Sequence, residues 1–168
     1  MLIREAKKNE FYILKEQRLE SYRPYEAELS PEHWEMLKAN LASTNDQQDV
    51  AEVFVAEIDG HIAGSVVLFP AESKAYEWNS MAIEHPEIRL LAVSPDFRSL
   101  GVGKALVEHC IDICKIRKQS FVGLHTGSFM KNAIALYKKM GFERIESLDI
   151  MPLDDGIVVK AFRLDIQN

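Results

Sequence analysis

The sequence predicts one α/β domain over residues 1–168, with strands and helices in the order β-α-α-β-β-β-α-β-α-β-β. Three observations carry that prediction. Two β-branched runs, 52–58 and 61–69, flank Asp59-Gly60, a dipeptide suited to a type I′ turn, so a hairpin is expected. The strand-like run Glu87 to Val93 meets Ser94-Pro95 and then Gly101 and Gly103, after which apolar residues recur at helical spacing. Helical patterns with cap and breaker residues stand before the hairpin and again near the C-terminus.

Taken in order, Leu2 to Ala6 reads as a short strand, and a helix starting near Asn9 carries Phe11, Leu14 and Leu19 and ends near Tyr22-Arg23-Pro24. Ser30-Pro31 supplies an N-cap with proline at the first helical position for a second helix, roughly 31 to 41. A polar stretch, 43–49, leads to the hairpin, and the loop 70–86 holds Glu72, Tyr76, Glu77, Trp78, Glu84 and His85. The strand 87–93 follows. The next helix, 101 to about 118, is expected to bury Val102, Ala105, Leu106, His109 or Cys110, Ile113 and Ile116. A strand at 121–125, a helix at 130–140 stopped by Gly141, a strand from Phe142 to Ile145 and a last strand, 156–164, complete the chain.

The stretch from 98 to 104 carries chemistry. Without side chains at Gly101 and Gly103, the amides from Ser99 to Lys104 can converge on an anion, the positive end of the helix points at the same place, and Arg98 and Lys104 add two charges. A phosphate or pyrophosphate is the ligand this arrangement suits. Two rival motifs fail: a P-loop needs Ser or Thr after Lys104, where Ala105 stands, and the dinucleotide fingerprint needs glycine at 106, where Leu106 stands.

Arg98-x-x-Gly101-x-Gly103, preceded by Leu-Ala-Val-x-Pro and followed by Ala105-Leu106, resembles the acyl-CoA loop of the GCN5-related N-acetyltransferases. The run Asn132 to Phe142, with Ala135, Leu136 and Tyr137 inside it, is similar to a second cofactor-side segment of that family, about thirty residues on. The resemblance covers essentially the whole chain. It implies the acyl-CoA N-acyltransferase fold, a central mixed β-sheet flanked by helices, in which the strand before the loop and the strand after its helix splay apart around the pantetheine arm. Transferred by position, it implies that the backbone of Leu91, Ala92 and Val93 bonds pantetheine, that Arg98, Ser99, Leu100, Gly101, Val102, Gly103 and Lys104 hold the pyrophosphate, and that Asn132 bonds the pantetheine arm. Ser99 replaces the glycine usual after the arginine, and Leu100 stands where a polar residue is common. Ser99 can serve if its position does not require a positive φ.

The activity so implied is transfer of an acetyl group from acetyl-CoA to an amine. An alkylamine arrives mostly as its ammonium, with a pKa of about 10, so the site needs a base or water chain, a backbone donor to the carbonyl oxygen and an acid for the leaving thiolate. The resemblance gives the acid as Tyr137 and the carbonyl donor as the amide of Val93. Glu87 is the first candidate for the base, facing the same side of its strand as Arg89, and Glu84 and His85 are the runners-up. Glu26, Glu28, Glu72, Glu77, Glu84 and Glu87 together favour a cationic acceptor. The alternative is an acyl-CoA-binding sensor on the same fold without turnover, against which Tyr137 and Asn132 argue.

Composition limits the rest. A formal charge of −6 over 168 residues argues against nucleic acid, whose phosphates need a basic face. No apolar run approaches a membrane span and no signal-peptide core opens the chain, so a cytoplasmic location is expected. Cys110 and Cys114, four apart in a helix, read as reduced buried thiols, and no metal is expected. The partners expected are acetyl-CoA and an amine acceptor, with a homodimer left open.

Overall fold

The computed structural model of the protein describes residues 1–43, 51–71 and 84–167. Glu72, Tyr76, Glu77, Trp78 and residues 44–49 lie outside the described residues. The elements are β1 (Leu2–Glu5), α1 (Phe11–Tyr22), α2 (Pro31–Ala42), β2 (Glu52–Ile58), β3 (His61–Phe69), β4 (Glu87–Val93), α3 (Val102–Ile116), β5 (Phe121–Gly127), α4 (Lys131–Lys139), β6 (Glu143–Arg144) and β7 (Val159–Asp165). They form one sheet in the order β1-β2-β3-β4-β5-β7-β6, antiparallel throughout except between β4 and β5. This is the mixed sheet with helices on its faces that the sequence implied.

The local signals act as their chemistry requires. Asp59 (φ 50°) and Gly60 (φ 79°) both turn left-handed between the closing pair Ile58 and His61, as a type I′ turn demands. Ser30 caps α2 by accepting from the His33 amide at 3.1 Å, with Pro31 next to it. Gly141 ends α4 at φ 97°.

Burial follows the period of two along the strands. Phe54, Val66, Leu68, Ile88, Val122 and Leu124 face α3 and α4, while Val53, Val55, Val67 and Phe69 pack with Leu14 of α1. Tyr22, Leu29, Trp34 and Leu41 continue that second layer over Ala92.

The expected apolar face of α3 is rotated. Its buried residues are Val102, Leu106, Val107, Cys110, Ile111 and Cys114, and Ile116 is 80% exposed. At 3.6 residues per turn Ile116 lies about 120° round the helix from Cys110, off the stripe that meets the sheet. The strand expected from Phe142 to Ile145 shrinks to β6, a two-residue edge, and the last strand begins at Val159 instead of Gly156.

β4 carries the feature that shapes the site. Val67 pairs with Arg89 but Ser65 pairs with Ala92, so Leu90 and Leu91 oppose the single residue Val66. This is a β-bulge, with Leu90 at φ 55°. Its consequence is a change of parity: Arg89 and Leu90, adjacent in sequence, both face the α1 and α2 layer, and Leu91 and Val93 face α3.

Candidate active site

β4 and β5 pair only at Glu87 with Gly123 and Ile88 with Leu124. Beyond Ile88 the two parallel strands no longer pair, which leaves a strip of β4 backbone open to a ligand. The Ser94 amide donates to Ala63 O at 2.8 Å, and alternation along the strand therefore turns Ala92 to β3 and Leu91 and Val93 to the open edge. Of the three residues expected to bond the pantetheine arm, Leu91 and Val93 turn their backbone groups to the open edge and Ala92 turns its own to β3. The Leu91 carbonyl already accepts from the Tyr22 hydroxyl at 3.1 Å.

The open edge leads into the glycine loop. After one short turn at Pro95–Phe97, Ser99 sits at φ 65° and Gly101 at φ 78°. The condition set for Ser99 is therefore not met, and a serine holds a left-handed conformation that glycine takes without strain. Ala105 N to Gly101 O, at 3.0 Å, is the first bond of α3, so the helix itself leaves the amides of Val102, Gly103 and Lys104 without acceptors. Arg98, Ser99, Leu100, Gly101 and Lys104 are exposed. Arg98 Nη2 donates to Ser21 O at 3.2 Å, and Lys104 Nζ lies 3.7 Å from Glu108 Oε1. A side-chain carbon at Gly103 would meet Val93 at 3.6 Å and nothing closer, so space remains in front of the amides. Bare amides, two cations and clearance are what a pyrophosphate needs.

Two adjoining cavities lie under the opening. The smaller, about 30 Å³, is walled by Ile88, Leu91, Leu124 and Tyr137 among others. The larger, about 90 Å³, reaches His33, Asn40, Phe129 and Val159, and the two share Tyr22, Arg89, Leu90, His125, Thr126 and Met130. Tyr137 is 5% exposed, and burial, with the neighbouring phenols of Tyr22 and Tyr25, raises its own phenol well above the ordinary value. Burial likewise pushes Tyr22 up to about 12. Asn132 sits exposed in the first turn of α4.

Glu87 is buried beneath this floor. Its Oε1 accepts from His125 Nδ1 at 2.7 Å and lies 3.8 Å from Arg89 Nε, so Glu87 and Arg89 do share a side. Burial alone would raise the Glu87 carboxyl, but the His125 hydrogen bond and the charges of His125 and Arg89 outweigh it and hold it below the usual range. Burial would lower His125, but the bond to Glu87 and its charge raise it. Because His125 Nε2 also meets Leu148 O at 3.0 Å, and a carbonyl can only accept, both ring nitrogens carry protons. Glu84 is exposed, and the His85 ring packs against Gly123.

His125 and His33 are the site residues that the sequence did not single out. Each is joined to its carboxylate only by the fold, across 38 and 122 residues, and no spacing announces that. Among the described residues no group of three metal-ligating side chains is present, and no helix is long and apolar enough to cross a membrane.

The acetyltransferase (GNAT) family profile matches residues 11–142. An uncharacterized N-acetyltransferase of Methanocaldococcus jannaschii is 36% identical over 100 residues, 60% of this chain and 42% of that protein. The ribosomal protein bS18 alanine N-acetyltransferase of Escherichia coli is 31% identical over 83 residues, 49% of this chain and 56% of that one. The chain thus spans about two fifths to just over half the length of these relatives. Among solved structures, a GNAT acetyltransferase from Staphylococcus aureus superposes with a TM-score of 0.70 at 17% identity over 98% of both chains. The PaiA N-acetyltransferase of Thermoplasma acidophilum, in complex with coenzyme A, gives 0.67 at 18% identity over 98% of both chains.

Proposed function

This chain belongs to the acetyltransferase (GNAT) family, and from that premise we propose that it transfers an acetyl group from acetyl-CoA directly to an amine acceptor. One observation carries the reading: the open edge of β4 runs from the bare amides of α3 to the cavity walled by Tyr137, so a single elongated ligand can touch both.

The amides of residues 99 to 104, with Arg98 and Lys104, hold the pyrophosphate. Leu91 and Val93 take the pantetheine arm along the open edge, and Asn132 meets the same arm from α4. The Val93 amide donates to the thioester oxygen, whose charge grows as the amine attacks. The C–N bond forms, the C–S bond breaks, and the Tyr137 hydroxyl gives its proton to the departing sulfur. Glu87 keeps His125 charged instead of taking the amine proton, because a carboxylate between two cations is a weak acceptor.

The acceptor class is a primary amine, borne by a small molecule or by a peptide or protein. A cytoplasmic location agrees with the buried, free Cys110 and Cys114; burial raises both thiols, Cys114 to about 11, and keeps them protonated.

Thermal shifts with acetyl-CoA and with ATP, followed by free-thiol release over a panel of amines, test the proposal. A shift with acetyl-CoA alone and amine-dependent thiol release are expected. A shift without turnover on any amine would leave an acyl-CoA sensor, and a shift with ATP alone would overturn the loop assignment.

A further inference from the structure

We propose that His33, oriented by Asp155, is the base that takes the proton from the acceptor amine; this rests on the acetyl-transfer reading above. Nothing in the sequence links the two residues. The structure joins them at the mouth of α2, where the loop between β6 and β7 folds back.

Ser30 fixes the backbone of His33 by capping its amide, and the ring is buried. His33 Nδ1 lies 2.7 Å from Asp155 Oδ2. The same carboxylate accepts from the Ile157 amide at 3.1 Å and from the Ser30 hydroxyl at 3.4 Å. Burial would raise Asp155, but the bonds from Ile157, His33 and Ser30 outweigh it and hold the carboxyl low, so it stays an anion and can only accept. The proton of a neutral His33 ring must then sit on Nδ1, which makes Nε2 the accepting nitrogen. Nε2 has no hydrogen-bond partner among the described residues.

That ring lines the larger cavity, edge-on to Phe129 at 6.3 Å between centroids. A volume of about 90 Å³ suits a small alkylamine head or several waters, each water needing roughly 10–15 Å³. The other polar side chains on its wall are poor acceptors for a proton, Asn40 among them as a neutral amide. His125 donates from both nitrogens, the Tyr22 hydroxyl donates to Leu91 O, the Thr126 hydroxyl donates to Met130 Sδ, and Arg89 is a cation. The smaller cavity shares six lining residues with this one, so His33 lines one and Tyr137 the other of two adjoining cavities.

The protons balance. The ammonium gives one proton to His33 Nε2, which returns it to solvent after the step. The neutral amine attacks the thioester carbon, the C–S bond breaks, Tyr137 protonates the sulfur, and the second amine proton restores the Tyr137 hydroxyl. The products are the acetamide, free CoA thiol and one released proton.

The test compares two probe amines in one variant, so that partial unfolding cancels in the ratio. n-Butylamine is almost wholly protonated at neutral pH, whereas 2,2,2-trifluoroethylamine is largely neutral and needs no base. His33→Gln should lower kcat/KM for n-butylamine about a hundredfold or more, within the general-base range, and change trifluoroethylamine less than about threefold. Asp155→Asn should show the same selectivity at smaller size, and it lies nearer the surface should His33→Gln fold poorly. The acetyl-CoA thermal shift should survive in both. Equal losses on the two amines, or none, would overturn the base assignment while leaving acetyl transfer intact. A wild type that binds acetyl-CoA but acetylates neither amine would overturn the transfer reading, and this inference with it.

Discussion

Glu87 Oε1 accepts from His125 Nδ1 at 2.7 Å, while the same imidazole turns Nε2 to Leu148 O at 3.0 Å. One buried, charged ring therefore ties β4 and β5 at the end of their short pairing to the turn at Glu146–Leu148. The pair sits where the strands begin to part.

Stability should peak in a pH window set by that pair. Glu87 is lowered from 4.5, so its contribution is present above that value and lost as pH falls through its folded value. His125 is raised from 6.5, so its contribution is full below that value and lost as pH rises through its folded value. Between about pH 4.5 and 6.5 both act. There Glu87→Gln, which removes the negative charge facing His125 and Arg89, should cost about 3–5 kcal/mol, or roughly 6–20 °C in Tm for a chain of this size. The gap to wild type should narrow on both sides of the window; a gap independent of pH would show that the pair contributes by packing alone.

Gly103→Glu should fold and fail to bind acetyl-CoA. A side-chain carbon at 103 meets only ordinary contacts, the nearest at 3.6 Å, whereas a carboxylate in front of the α3 amides repels phosphate. Isothermal titration should show at least about a hundredfold weaker binding with little change in Tm. Gly101→Ala differs in kind: at φ 78° it should cost about 1–2 kcal/mol of stability before any effect on the ligand. Unchanged affinity in Gly103→Glu would remove the loop from the site.

Much of this was legible because its signals are local. Asp59-Gly60 specifies its own turn, Ser30-Pro31 its own helix start, and Leu91 to Gly103 a strand that must stop before a helix N-terminus. The left-handed Leu90 and Ser99 were not legible, since their side chains disfavour that conformation and only the surrounding fold imposes it. Nor were the two histidine–carboxylate pairs. Each joins elements that meet only when the sheet and its helical layers are complete, so period and spacing carry no trace of them.

The acceptor's charge can be tested against the exposed glutamates. Glu26 and Glu28 are exposed in the turn after α1, and Glu84 before β4, while Glu87 is buried and paired and so adds little field outside. Steering by the exposed group should make kcat/KM for 1,4-diaminobutane fall about tenfold between low and high salt, more steeply than for n-butylamine. Glu26→Gln with Glu28→Gln should flatten the difference. Parallel salt dependences for the two amines would discard a cationic preference.

Tyr137→Phe separates acid catalysis from packing. The ring lies T-shaped on Phe142 at 5.9 Å between centroids, and phenylalanine keeps that contact, so Tm and the KM for acetyl-CoA should hardly change. Loss of the proton donor should lower kcat about ten- to a thousandfold. Burial and the phenols of Tyr22 and Tyr25 raise the Tyr137 hydroxyl above its ordinary 10.0, so it remains protonated through any practical assay range. A fall of the wild-type rate between about pH 8 and 10 therefore cannot arise from Tyr137, and the same limb should persist in Tyr137→Phe at a lower plateau. A variant at full rate would leave Tyr137 as cofactor packing and pass the sulfur's proton directly from the attacking amine.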